Sequence, residues 1–274
     1  MNKIVTIRTN IAGESDVDAL QDAQQMMFPE SDDKTLSSFE PATEDEVKKL
    51  LTKTSSATCA LDPLPTPLLK ECSSVLLPIL TKIINLSLSG AEVPLTMKQA
   101  LVKPLLKKTI LDPEILKNYR PISNLSFVSK LIERIVASRL ETHLTVYKLL
   151  EPNQSAYRRF HSTESALLRV QNDLLTSLNK NKMAILVLLD LSAAFDTIDH
   201  DLLLHRMSTR YGIVQTALQW FKSYLSNRSQ IVTIGKKSSE PMALPFGVPQ
   251  GSVLGPILFT IYTTLLYDIA RKYE

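Results

Sequence analysis

Apolar positions recur along this chain with two different periods, and the changes of period mark its elements. Val128, Leu131, Ile132, Ile135, Val136 and Leu140 share one helical face with Glu133, Arg134 and Arg139 opposite, which predicts an amphipathic helix with a core-facing stripe. Thr43 and Glu46 form a capping-box pattern that opens a short helix through Leu51. Thr66-Pro67 suits the cap and first turn of a long apolar helix that runs to Ser89 and Gly90 and is kinked at Pro78. Thr163 is expected to cap another amphipathic helix that runs through Leu178, and Asp199 to Met207 reads as a helix with Leu and Met inward. Ala217, Trp220, Phe221 and Tyr224 fall at helical spacing and read as core aromatics. Strand patterns cover Ala100 to Lys108, Tyr119 to Ile122 and Gln230 to Gly235.

The run Met183 to Leu189 is wholly apolar, of strand length and rich in Val, Ile and Leu, with polar residues before it and Asp190 after it. It predicts a strand buried on both faces. An acid at the end of such a strand loses hydration unless a cation neutralises it, and a bound metal is the strongest neutraliser. Asp190 is therefore either a metal ligand or the cap of the next helix.

The stretch Phe246 to Phe259 holds Gly247, Gly251 and Gly255 beside Pro249 and Pro256. Such clustering marks a sharp turn or a close approach of backbone to a ligand, and Gly255-Pro256 opens an apolar, helix-period run.

Composition adds limits. The 274 residues are 44% apolar, enough for a sizeable core in one large domain or two small ones. A net charge of +3 permits nucleic-acid contact without demanding it. Cys59 and Cys72 lack the paired spacing of a zinc site or disulfide framework and read as buried reduced thiols. No stretch reaches bilayer-spanning length and the start lacks a signal-peptide core, so an intracellular protein, cytoplasmic or nuclear, is expected. His161, His200 and His205 show no metal-ligand pattern and read as surface or capping residues.

LDLSAAFDTIDH followed by GVPQGSVLGPILF resembles motifs A and B of the reverse transcriptases of non-LTR retrotransposons. KNYRPISNLSFVSKLIERIVASRL and LLEPNQSAYRRFHSTESALLRV are similar to the two finger motifs that precede motif A, and SSFEPATEDEVKKLL resembles the leader of the CR1-like clades. The resemblance covers nearly everything from Ser37 onward. It implies an α+β, right-hand polymerase fold of fingers and palm, with helices packed on an antiparallel palm sheet. The expected segments are a linker over 1–36, a helical leader over 37–98, fingers over 99–182 and a partial palm over 183–274.

The same resemblance implies an RNA-directed DNA polymerase that works on an RNA template, a DNA primer and deoxynucleoside triphosphates. Asp190 and the carbonyl of Leu191 would hold magnesium, with the other acids supplied by a Tyr-x-Asp-Asp motif C. Lys107 and Arg120 match the finger cations that hold a triphosphate, and Gln250 and Gly251 match residues lining the nucleotide pocket. Phe195 stands at the position that excludes a ribose 2′-hydroxyl, though a core aromatic is an equally natural reading. Arg158 and Arg159, beside Tyr157 and Phe160, suit contact with template RNA, the other reading being a polar connector. In that loop Arg159-Phe160 stands where Pro-Gly is usual.

Asp196 and Asp199 are expected to be solvated or helix-capping acids. Leu258 to Tyr273 reads as one helix, and Tyr267-Asp268 within it is rejected as half of motif C. Motif C should follow where the sequence stops. The expectation is therefore a truncated fingers and palm segment, inactive by itself; the alternative is a non-catalytic nucleic-acid-binding or interaction protein that keeps the fold.

Overall fold

The computed structural model describes residues 34–191 and 194–272. Four helices come from the first half of this span: α1 (Glu44–Lys53), α2 (Thr66–Glu71), α3 (Ser73–Ser89) and α4 (Phe127–Val146). Between α3 and α4 lie β1 (Gln99–Leu106) and β2 (Tyr119–Asn124). Then follow α5 (Thr163–Asn179), α6 (His200–Thr209), α7 (Gln215–Leu225), β3 (Ser229–Ile234), β4 (Lys237–Ser238), β5 (Met242–Ala243), α8 (Gly255–Thr263) and α9 (Leu265–Arg271). The architecture is a mixed α+β one.

The sheet runs β2-β1-β3-β4, with β5 also on β3. It is not the antiparallel sheet expected, because β1 pairs parallel with β3 from Gln99 opposite Ser229 to Val102 opposite Val232, while its other pairings are antiparallel. A parallel pair between strands this distant in sequence leaves no local pattern from which to read it.

One hydrophobic core includes residues of nearly every segment, those of α1, α2 and α3 among them. Trp220 is fully buried, donates its indole N–H to the Ser87 hydroxyl at 3.1 Å, stacks on Tyr224 at 5.5 Å and meets Phe39 edge-on at 5.8 Å. The aromatic spacing on α7 is thus core, as its periodicity predicts. Contacts precede the helix cap at Thr43: Leu36 bridges to Ile213 and Phe39 is buried. Residues 1–33 of the expected linker lie outside the described residues.

Local signals place most helices closely. The Thr43 hydroxyl accepts the Glu46 amide at 3.2 Å, yet Glu46 does not reach back; its carboxylate takes Arg139 in a bidentate pair at 2.7 and 2.8 Å. The polar face expected on α4 is therefore partly covered, by α1 at Arg139 and by the approach to α8 at Glu133, which is 1% exposed. Thr66 does not cap with its hydroxyl, which donates to the Ala57 carbonyl, and the long apolar helix breaks at Cys72 into α2 and α3. Ser162, not Thr163, caps α5, through a reciprocal pair with Ser165. Cys72 is exposed and Cys59 half-buried, correcting the expectation of two buried thiols.

The largest departure is the apolar run before Asp190. Residues 183–191 have no regular secondary structure and are exposed, with Met183, Ile185, Leu188 and Leu189 each more than 80% accessible. The expected strand buried on both faces is not formed. Local composition states a preference, whereas a strand exists only with a partner to close its hydrogen bonds and layers to cover its faces. The described residues supply neither, and α5 beside it also has no buried residue.

Candidate nucleotide and template site

The turn after Asp190 and the glycine-rich stretch are stitched together through main chain. The Val248 amide donates to the Phe195 carbonyl at 2.8 Å, the Gly247 amide to the Ile198 carbonyl at 2.8 Å, and His200 Nε2–H to the Gly247 carbonyl at 2.7 Å. His200 is thus a half-buried stitch, not a surface or capping residue. Gly247 has φ 79°, and a β-carbon there would stand 2.6 Å from the Phe195 oxygen, so only glycine permits this approach. Asp199 caps α6 by accepting the Leu202 amide at 3.0 Å.

The following turn is fastened to β2. The Ser123 amide donates to the Gln250 carbonyl at 2.8 Å, and a β-carbon on Gly251, whose φ is 115°, would lie 2.7 Å from the Ser123 oxygen. The Ser252 hydroxyl accepts the Gly255 amide at 3.0 Å at the entry to α8, while Glu133 accepts the amides of Val253 and Leu254 at 2.6 and 3.2 Å. Three segments distant in sequence therefore converge on residues 247–254.

Between them is a cavity of about 240 Å³ whose lining includes Val102, Ser123, Asp196, Val232, Phe246 and Gln250. Burial pushes the Asp196 carboxyl above its ordinary range. Asp196 is thus a half-buried acid at the cavity wall. Strand alternation separates this cavity from Arg120. Val102 faces Ser123 across the β1–β2 ladder and both line the cavity, whereas Arg120, opposite Leu105, belongs to the alternate face. Lys107 and Arg120 are exposed, and the Lys107 amide donates to the Asn118 carbonyl at 2.8 Å, closing the hairpin they share.

Gln250 and Gly251 are brought together with Ser123, but Asp190 and Leu191 remain on the exposed irregular segment. Phe195 is half-buried, with its ring 5.3 Å from Phe259 and 6.3 Å from Tyr157. Its aromatic surroundings accommodate the core reading. A carboxylate and a carbonyl are hard oxygen donors of the kind magnesium takes. Among the described residues, however, no three His, Cys, Asp or Glu side chains form a group that could hold a metal ion, so these residues do not make a magnesium site on their own.

In the expected template loop the two arginines differ. Arg158 turns inward, donating to the carbonyls of Glu151 at 3.0 Å and Gln154 at 3.5 Å, and so clamps the loop. Arg159 is exposed, with its guanidinium 4.7 Å from the centre of the Phe160 ring. Phe160 has φ 64°, so the position usually held by glycine keeps a left-handed backbone although the glycine is gone. Asp268 lies in helix α9 and pairs with Arg210, consistent with its rejection as a motif C acid. Glu133, Ser123 and Asp196 are not singled out as site residues by sequence, which sets Glu133 on the polar face of its helix with Arg134 and Arg139.

The model of the family described as "Reverse transcriptase (RNA-dependent DNA polymerase)" matches residues 105–273. The chain belongs to the reverse transcriptase family. The similarity is to non-LTR retrotransposon members of it. It is 36% identical over 152 residues to the probable RNA-directed DNA polymerase from transposon BS of Drosophila melanogaster, covering 54% of this chain and 16% of that protein. It is 32% identical over 256 residues to the RNA-directed DNA polymerase from mobile element jockey of Drosophila funebris, covering 90% of this chain and 26% of that protein. The chain thus spans about a quarter or less of these curated relatives. Among the described residues no helix of this reverse transcriptase chain is long and apolar enough to cross a membrane.

Proposed function

We propose that this chain carries the fingers and the motif A and B palm of an RNA-directed DNA polymerase, acting on an RNA template, a DNA primer and deoxynucleoside triphosphates. The observation that carries the reading is the main-chain stitching of the Phe195 turn, the Gln250 turn and β2. It fixes in one place the three segments that a polymerase needs around an incoming nucleotide. In this reading residues 37–98 are a leader, 99–182 the fingers and 183–274 the palm motifs. Lys107 and Arg120 meet phosphates from the exposed face of the hairpin, as a point charge and a planar fork. Gln250 and Gly251 bound the nucleotide, Phe195 bounds its sugar edge, and Arg159 meets template phosphate.

The reaction joins a primer 3′-hydroxyl to the α-phosphate of the nucleotide and releases pyrophosphate. Asp190 and Leu191 are the donors we assign towards magnesium, as part of a set the described residues leave incomplete. Mobility-shift titration of the chain against a primed RNA template, over a range of salt concentrations, tests the assignment. Binding should weaken with salt and fall further in Arg159→Ala, whereas Lys107→Ala and Arg120→Ala should weaken uptake of a deoxynucleoside triphosphate instead. A monodisperse sample that binds no primed template would overturn it.

A further inference from the structure

Glu133 stands on the core side of α4 among Leu131, Ile132, Ile135 and Val136, all essentially inaccessible. Its Oε2 accepts the Val253 and Leu254 amides, and the buried Tyr224 hydroxyl lies beside the carboxyl. Burial raises its pKa above the ordinary glutamate range; the nearby Arg228 guanidinium and the two amides act in the opposite direction. Arg228 is itself 2% exposed, donates to the Tyr224 carbonyl at 2.8 Å and lies 4.7 Å from the centre of that ring. Burying a carboxyl group costs several kcal/mol, and an apolar side chain would fill a helix core without that penalty. What the acid adds is acceptance of two amides that, at the entry to α8, have no earlier helical carbonyl to bond.

Those amides directly follow Gln250, Gly251 and Ser252. Upstream the stretch is fixed to Phe195 and Ile198, midway to Ser123, and downstream to Glu133. Release of the last fastening frees the turn to rotate about its glycines and draws the Gln250 carbonyl from the Ser123 amide. We infer that Glu133 is a positioning residue of the nucleotide pocket, holding Gln250 and Gly251 in place through Val253 and Leu254. The inference rests on the polymerase reading above.

Hydrogen exchange followed by peptide mass spectrometry, on the whole chain, tests the role in Glu133→Ala, Glu133→Gln and a core control, Leu131→Ala. Glu133→Ala should speed exchange at Ser123, Val253 and Leu254 by at least about tenfold beyond the control, the scale of losing charge-assisted hydrogen bonds. Glu133→Gln, which keeps an acceptor oxygen, should recover most of that protection. Affinity for dTTP, measured by equilibrium dialysis with primed template, should fall about tenfold in Glu133→Ala and by less in the control. The same exchange pattern in Glu133→Ala and Leu131→Ala would overturn the positioning role. Failure of the unaltered chain to take up dTTP would instead overturn the polymerase reading, whatever the exchange pattern.

Discussion

Gly251 packs its α-carbon so closely against Ser123 that a β-carbon would meet the serine carbonyl oxygen at 2.7 Å, in a backbone conformation of φ 115°. Substitution with alanine therefore meets two penalties, a main-chain clash and a torsion that L-residues avoid. Gly251→Ala is expected to destabilise the protein by about 2–3 kcal/mol, seen as a lower midpoint in urea denaturation. An unchanged midpoint would mean that the turn shifts freely and that β2 does not fix it.

Asp196 lines the cavity with its pKa raised by burial. The sign follows from linkage: the folded state binds this proton more tightly than the unfolded one, so the contribution is fully present below the unfolded pKa and is lost as pH rises through the folded pKa. At neutral pH, where the carboxyl is ionised in the unfolded chain, placing it in this half-buried site opposes folding. Asp196→Asn should therefore raise the melting temperature at pH 7 by more than at pH 3.5. Thermal scans at both pH values check this, and an equal effect at both would assign the change to something other than charge.

The apolar run before Asp190 separates what sequence can state from what it cannot. Periodicity placed α4, α7 and the β1–β2 hairpin within a few residues because their cores lie within reach of local patterns. The run 183–189 has equally clear local character but needs a partner that its own residues cannot encode. Glu133 and Asp196 were illegible for the same reason, since their burial depends on residues distant in the chain. Leu188 is 83% exposed, so Leu188→Lys should leave the melting temperature unchanged and reduce self-association on sizing chromatography. A loss of several degrees would show instead that Leu188 is covered in solution.

Arg210 binds both Glu151, at 2.7 Å, and Asp268, tying α9 to the loop before Arg158. Glu151 and Asp268 are only 8% and 11% exposed at their side chains, so loss of the arginine leaves little water to replace it. Arg271 still pairs with Glu151, which moderates the effect. Arg210→Ala should cost about 2–3 kcal/mol, towards the lower end for opening a buried pair, whereas Arg271→Ala, from a half-exposed position, should cost less than about 1 kcal/mol. Denaturant midpoints of the two variants compare the effects directly.

Phe160 and Arg159 provide a test in which stability and binding should part. Phe160 is 88% exposed and held at φ 64°, so both alanine and glycine lose its ring contact with Arg159, but glycine alone relieves the left-handed torsion. Phe160→Gly should therefore be more stable than Phe160→Ala by about 1 kcal/mol, whereas glycine is the less stable of the two at an ordinary backbone position. The sign of that difference in denaturation reports the torsion independently of the lost ring. Arg159→Ala, from an exposed position, should leave stability within about 0.5 kcal/mol while lowering the salt dependence of RNA binding by about one phosphate contact, near 0.7 in the logarithmic slope for a single strand. Arg158→Ala should do the reverse, because its guanidinium holds the Glu151 and Gln154 carbonyls. Equal salt slopes in Arg159→Ala and the unaltered chain would remove Arg159 from the template contact and leave the loop as a connector.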